Sequence, residues 1–150
     1  MEEKEYLKTL TFEIPGQPLG KQRPRVVHNG AFSKAYTPKE TVAYENLVKM
    51  YFTNAAGGRK FSDDDMLGVY IAAYYRIPKS VSKKKREQML TYQIRPTIKP
   101  DFDNIGKIIC DSLNLVAYHD DSSIVQAFVS KYYSERPRVI VAIKSLGKAV

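Results

Sequence analysis

Cysteine, tryptophan and long apolar runs are scarce in this chain of 150 residues. It has one cysteine, Cys110, and no tryptophan. A lone cysteine excludes an intramolecular disulfide framework, and the acidic start, residues 1–5, lacks the apolar core of a secretory signal. The longest nearly uncharged apolar run, residues 66–75, is far shorter than the roughly 20 residues that cross a membrane. These absences favour a cytoplasmic protein without a transmembrane segment.

Acidic residues are outnumbered by basic ones. The chain has 24 Lys and Arg against 16 Asp and Glu, a formal net charge of +8, which predicts attraction to a polyanion such as nucleic acid. The cations are scattered and do not line one amphipathic helix, which disfavours a membrane surface as the partner. With 43% hydrophobic residues the composition is that of an ordinary globular protein, and the length favours one domain, residues 1–150.

The hydrophobic pattern predicts an α+β fold: a small mixed sheet with packed helices. Alternation predicts a strand over residues 9–14, and Asn29-Gly30 is typical of a hairpin turn. Residues 66–77 are apolar on both faces, which predicts a covered strand or one at a dimer interface. Residues 124–133 and 139–143 are rich in β-branched side chains, and the short segment between them predicts a closing hairpin. The candidate interface residues are Val69, Ile71 and Tyr75.

Two further segments have local signatures. Thr37 as N-cap, Pro38 in the first turn and Glu40 in a capping box predict a helix that ends at Gly57-Gly58. Three consecutive acids, residues 63–65, resemble a metal cluster but are more typical of a solvated turn.

The segment from Lys99 to Lys107 contains unusually placed acids. Pro100 favours an extended approach, in which Asp101 and Asp103 point to the same side of the chain. With Asp103 as the N-cap of the next helix, Lys107 lies one turn beyond it on the same polar face. Asp111 is then expected to pair with Lys107. The opposite, core-facing sector contains Ile105, Ile108, Ile109, Ser112 and Leu113.

A second acidic pair, Asp120-Asp121, precedes the strand that begins near Ile124 and could approach the first pair. Three clustered carboxylates repel one another and need a cation, and oxygen ligands of this kind suit Mg²⁺ or Mn²⁺. Cys110 and the distant His28 and His119 offer no tetrahedral zinc set, and His119 is typical of an ordinary loop residue. The structural alternative stays open: these acids could be turn and capping residues beside a surface ion pair.

Asp101, Asp103, Asn104 and Lys107, followed by Asp120-Asp121 after the helix, resemble the RusA family of Holliday junction resolvases. Weaker similarity extends to the final strands and to an early basic region, Gly16, Pro18, Lys21, Arg23 and Arg25. The resemblance implies a RusA-like fold and a homodimeric, Mg²⁺-dependent endonuclease that cuts four-way DNA junctions by paired nicks. Such enzymes are often carried by prophages.

The motif positions imply roles for individual residues. Asp101, Asp103 and Asp121 would be the metal-binding acids and Lys107 the essential lysine, with Asp120 as the alternative third ligand. Residues 59–65 look like an insertion for which the family supplies no role.

Six cations are the candidate DNA contacts: Lys21, Arg23, Arg25, Arg76, Lys79 and Lys99. Phosphate contacts by such residues make binding dependent on salt. Two other functions remain open, namely a non-catalytic nucleic-acid-binding module and a metal nuclease acting on other branched DNA or on RNA.

Overall fold

The structure is a computed structural model that describes residues 5–150. Residues 1–4, which are most of the acidic start predicted to lack a signal core, lie outside the described residues. The strands are β1 (Thr9–Pro15), β2 (Arg25–Asn29), β3 (Phe32–Tyr36), β4 (Asp65–Arg76), β5 (Ile124–Ser134) and β6 (Arg138–Lys148). The helices are α1 (Lys39–Ala56), α2 (Lys83–Leu90) and α3 (Phe102–Ser112), followed by a short 3₁₀ turn, Asp121–Ser123. The predicted α+β class is confirmed. None of these helices is long and apolar enough to cross a membrane.

Four strands form a mixed sheet in the order β1-β6-β4-β5, while β2 and β3 form a separate hairpin. Strands β4 and β5 are parallel, and the other pairs are antiparallel. The predicted hairpin between the last two strands is therefore wrong, because β4 lies between them. The four Cα steps from Ser134 to Arg138 reach about 14 Å when extended. With β4 between them, β5 and β6 lie two strand spacings apart, which is only about 10 Å. The short connection can therefore pass over the end of β4.

One face of the sheet forms the hydrophobic core. Phe52 of α1 packs edge-on against Phe12 of β1, with ring centroids 5.5 Å apart, and the core-facing residues predicted for α3 are all buried. Val69, Ile71 and Tyr75 belong to this core, with exposures of 1%, 4% and 0%. The expectation that they form a dimer interface is wrong, because alternation along β4 turns them toward the helices of their own chain.

The other face of the sheet carries aromatic side chains. Tyr70 stacks on Phe128 with ring centroids 5.5 Å apart, and Tyr74 stacks on Tyr132 at 5.4 Å. Phe128 is more than half exposed. Tyr92, just after α2, packs against Tyr132 with ring centroids 4.7 Å apart. The apolar side chains of β4 on this face are only partly buried, so β4 is apolar on both sides although only one side forms the core.

Both helix starts differ from the predicted ones by one or two residues. Pro38, not Thr37, is the N-cap of α1, and no side chain caps this end, so the capping box is not formed. Gly57 ends the helix in the left-handed conformation, as predicted. Asp101, not Asp103, is the N-cap of α3, because the extended backbone ends at Asp101 and Phe102 is already helical.

The acidic run at residues 63–65 is only partly a solvated turn. Asp63 and Asp64 are exposed, but Asp65 begins β4 and is 3% exposed. Its carboxylate lies 2.8 Å from the Lys148 ammonium. The expectation of a solvated turn is therefore wrong for Asp65, whose charge is compensated by a cation at the end of β6.

Candidate active site

A pocket of about 650 Å³ lies where the loop after β1 meets the start of α3. We call it the Asp101 pocket. The loop contributes Leu19, Gly20, Lys21, Gln22 and Arg23, and the start of α3 contributes Lys99, Pro100, Asp101, Asp103 and Asn104. Both acids of the predicted pair thus line one cavity, together with three of the six predicted DNA-binding cations.

The loop between α2 and α3, which carries Asp101, is held by two side chains of the sheet. The Tyr75 hydroxyl donates a 2.5 Å hydrogen bond to the Pro100 carbonyl, and the Lys131 ammonium donates one of 2.6 Å to the Ile98 carbonyl. Burial lowers the pKa of Lys131, while the negative charge of Asp101 opposes that shift. The same two causes, burial first and then Asp101, raise the pKa of Tyr75. The sheet therefore positions the Asp101 pocket.

Sequence reasoning missed Lys131. In the parallel pair, Lys131 is opposite Ala73 and Tyr133 is opposite Tyr75, so Lys131 is turned toward the helix-covered face of the sheet. A lysine at an inward position of a strand is uncommon unless its ammonium has a partner. That position would have indicated a role only once the register of β5 with β4 was known.

The loop reaches α3 through a close backbone approach at Gly20. A Cβ at this position would lie 2.8 Å from Cβ of Pro100 and 3.0 Å from Cβ of Asn104. The next residue, Lys21, donates its N–H to the Asn104 carbonyl at 2.9 Å. Glycine is required here because any side chain would push the two walls of the pocket apart.

Gly20→Ala is therefore expected to lower the free energy of unfolding by about 1–3 kcal/mol, the usual cost of overpacking. Urea denaturation measures this change. Gly106→Ala is the matched control, since its Cβ would meet only Val129 at an ordinary 3.5 Å, and alanine inside a helix stabilises by about 0.5–1 kcal/mol relative to glycine. Equal stability of Gly20→Ala and the wild type would contradict the close approach.

Lys21 ties the loop to two helices. Its ammonium lies 3.0 Å from the Glu45 carboxylate of α1 and 3.8 Å from that of Asp111 on α3. The predicted pair of Asp111 with Lys107 is wrong: within residues 5–150 Lys107 makes no ion pair, because Asp111 faces the loop instead. Lys107 is exposed, one turn beyond Asp103 on α3.

The structure distinguishes the two acids that follow α3. Burial raises the pKa of Asp121, and the charges of Asp120 and Asp111 and a hydrogen bond with Asp111 raise it further. Its backbone N–H donates to Oδ1 of Asn114 at 2.9 Å, which fixes the turn. Asp120 instead accepts the Ser122 N–H at 3.0 Å, and its contacts with Ser122 lower its pKa. Asp121 therefore lies beside Asp111 of α3 and outside the residues that line the Asp101 pocket, whereas Asp120 caps the 3₁₀ turn.

The remaining predicted cations lie outside the Asp101 pocket. Arg25 begins β2, Arg76 ends β4, and Lys79 follows in the next loop, all exposed. The Arg76 N–H donates to Oε1 of Gln17 at 2.9 Å, which links the end of β4 to the loop after β1.

The donor set suits a hard divalent cation. Mg²⁺ is commonly bound through one or two carboxylates, with water and substrate phosphate completing its octahedron. Asp101 and Asp103 provide two such carboxylates at the wall of an open pocket, and the side chain of Asp101 makes no capping hydrogen bond that would occupy it. Among the described residues no three His, Cys, Asp or Glu side chains gather as a complete metal cage. The pair thus fits a metal site that substrate completes.

Two comparisons with known proteins bear on this chain. The family model described as endodeoxyribonuclease RusA matches residues 15–144, which include every residue of the Asp101 pocket. The chain is also similar to an uncharacterized protein, YqaN, of Bacillus subtilis (strain 168). The two are 35% identical over 142 residues, which cover 92% of this chain and 97% of YqaN.

Proposed function

Because the chain belongs to the RusA endodeoxyribonuclease family, we propose that it is a Mg²⁺-dependent nuclease that resolves four-way DNA junctions by paired nicks. The single observation that carries this proposal is the Asp101 pocket, where Asp101 and Asp103 share one cavity with Lys21, Arg23 and Lys99. Carboxylates hold a metal ion, and cations beside them attract the phosphate to be cut. The pocket thus combines the two chemical requirements of phosphodiester hydrolysis.

Asp101 and Asp103 would hold the Mg²⁺ ion, which supplies an activated water and stabilises the leaving oxygen when bound. Arg23 and Lys99 have no anionic side chain within ion-pair distance in residues 5–150, so both can neutralise a phosphate in the pocket. Lys21 is held by Glu45 and therefore orients the wall of the pocket. Asp121 is the proposed third acid, and Lys107 would reach the phosphate from the exposed side of α3.

The test is cleavage of a synthetic four-way junction in parallel with a linear duplex, a flap, a single strand and an RNA duplex of the same sequences. The proposal expects nicks in the junction only, and only with Mg²⁺ or Mn²⁺. Cleavage of flap DNA or RNA in preference to the junction would support the other metal nucleases. Binding without carboxylate-dependent cleavage would support a non-catalytic binding module.

We further propose that the enzyme is a homodimer, because two symmetric cuts need two identical sites related by a two-fold axis. The surface that would be buried is the aromatic face of the sheet, centred on Tyr70 and Phe128, whose rings stack while Phe128 stays more than half exposed. A two-fold contact uses the same patch on both subunits, and an exposed aromatic cluster is typical of such a patch.

Phe128→Glu is expected to shift the sedimentation coefficient from that of a dimer to that of a monomer, because two carboxylates would face each other across the axis. Val42→Glu on the exposed side of α1 introduces the same charge elsewhere and should leave the dimer intact. A wild-type protein that sediments as a monomer at every concentration would contradict the dimer.

A further inference from the structure

The hairpin of β2 and β3 does not pack on the rest of the protein. Its two strands pair only with each other, and all ten of their residues are exposed. An isolated two-stranded hairpin is at best marginally stable in water, because it has no core to cover its apolar side chains. This hairpin nevertheless exposes large apolar groups, with Phe32 at 80%. Its exposed side chains are therefore available to a partner.

The two faces of the hairpin differ in chemistry. Residues directly opposite each other share a face, and alternate residues of a strand point the same way. One face, which we call the aromatic–basic face, contains Arg25, Val27, Asn29, Phe32, Lys34 and Tyr36. The other face contains Val26, His28, Ser33 and Ala35 but no Phe, Tyr, Lys or Arg, and there His28 is hydrogen-bonded to Ser33 at 2.8 Å. All the phenyl, phenol and cationic groups of the strands thus lie on one side.

Charge identifies the class of partner. Between Glu13 and Glu40 the sequence contains no acidic residue but has five cations: Lys21, Arg23, Arg25, Lys34 and Lys39. A second copy of the hairpin would bring like charges together, which opposes self-association. A nucleic acid offers the opposite charge together with flat bases. Cations interleaved with aromatic rings are typical of surfaces that bind unpaired bases and their phosphates.

The position of the hairpin also suits the proposed substrate. Strand β2 begins two residues after Arg23, which lines the Asp101 pocket. Five residues of strand extend about 17 Å, so the hairpin can contact DNA beyond the phosphate held in the pocket. In the open form of a four-way junction, the base pairs at the branch point lack a stacking neighbour on one side, which lowers the cost of stacking them on a protein ring.

We infer that the aromatic–basic face binds the branch point of the DNA, where Phe32 and Tyr36 stack on exposed bases and Arg25 and Lys34 neutralise the adjoining phosphates. This inference rests on the proposed function, which supplies the DNA substrate. It assigns to the hairpin the preference for branched over linear DNA, separately from the chemistry in the Asp101 pocket.

The test is fluorescence anisotropy with a labelled synthetic four-way junction and a linear duplex, in EDTA so that no strand is cut. The double variant Phe32→Ala, Tyr36→Ala is expected to bind the junction about thirtyfold more weakly, because it loses two base stacks, each worth about fivefold or more in affinity. Its affinity for the duplex should change less than about threefold, because phosphate contacts dominate there. Lys34→Ala should weaken both complexes and reduce the slope of log K against log salt by about one.

Val26→Ala, on the opposite face of the same hairpin, is the matched control and should bind both DNAs like the wild type. An unchanged junction preference in the folded double variant would overturn the inference. So would a change in its sedimentation coefficient without DNA, which would identify the face as a contact between copies of the chain. Nicking in Mg²⁺ is measured separately: a wild type that binds through Phe32 but never cuts would contradict only the proposed nuclease function.

Discussion

Asp103→Asn is expected to abolish the nicking of a four-way junction while leaving junction binding intact. The amide keeps the size of the side chain but removes the negative charge that holds a metal ion at the Asp101 pocket. Losing several kcal/mol of transition-state stabilisation lowers the rate by about three orders of magnitude or more. Binding depends on the cations around the pocket, and removing one negative charge keeps or tightens it. Asp101→Asn should behave in the same way.

Single-turnover cleavage gives the rate, and anisotropy with the same junction gives the affinity. Asp63→Asn is the matched control, because it neutralises an exposed acid in the turn before β4. Circular dichroism separates lost chemistry from lost structure. If Asp101→Asn failed to fold, Asp101 would be a structural cap. We expect this variant to fold, because the Asp101 carboxylate makes no capping hydrogen bond. If Asp103→Asn nicked the junction at the wild-type rate, the Asp101 pocket would not be the catalytic site.

The second large effect is expected at Asp121 and not at its neighbour. Asp121→Asn should lower the nicking rate by about two orders of magnitude or more, since removing one electrostatic group at a reacting centre has effects of that size. Asp120→Asn removes only a cap of the 3₁₀ turn, so nicking should stay within a few-fold of the wild type. The two substitutions are adjacent and change the same charge, so each is the control for the other.

The contrast follows from their surroundings. Burial, together with the charges of Asp120 and Asp111, raises the pKa of Asp121. Asp120 is exposed, and its carboxylate accepts the Ser122 N–H. A larger loss of activity in Asp120→Asn than in Asp121→Asn would reverse the assignment. Equal and small losses would restrict the metal site to Asp101 and Asp103.

Local sequence signals predicted the parts of the site that lie close together in the chain. Asp101 and Asp103 were predicted to converge and both line the same pocket, although Asp103 is helical and not part of an extended segment as expected. The apolar sector of α3 was predicted correctly because helical periodicity depends only on spacing. Alternation of apolar residues likewise predicted β1, and a run that is apolar on both faces predicted β4. Neighbouring residues constrain one another directly, so these features needed no knowledge of the fold.

Features that depend on distant pairings were missed or wrong. The position of β4 between β5 and β6 is set by long-range pairing, and a short connection was mistaken for a hairpin. Lys131 is recognisable as a support of the Asp101 segment only when the β4–β5 register is known. Asp111 was predicted to pair with Lys107, one helical turn away. It faces Lys21 instead, which lies in a loop 90 residues earlier in the chain.

The most direct test of a junction-resolving nuclease is cleavage of a supercoiled plasmid that extrudes a cruciform, a four-way junction within closed circular DNA. Two symmetric nicks made during one encounter convert the plasmid to a linear molecule, whereas a single nick gives an open circle. With Mg²⁺ we expect the wild type to produce linear plasmid cut at the cruciform and Asp103→Asn to leave the plasmid supercoiled. Uncut plasmid with the wild type, or equal cleavage of a plasmid without the cruciform, would contradict the proposed function.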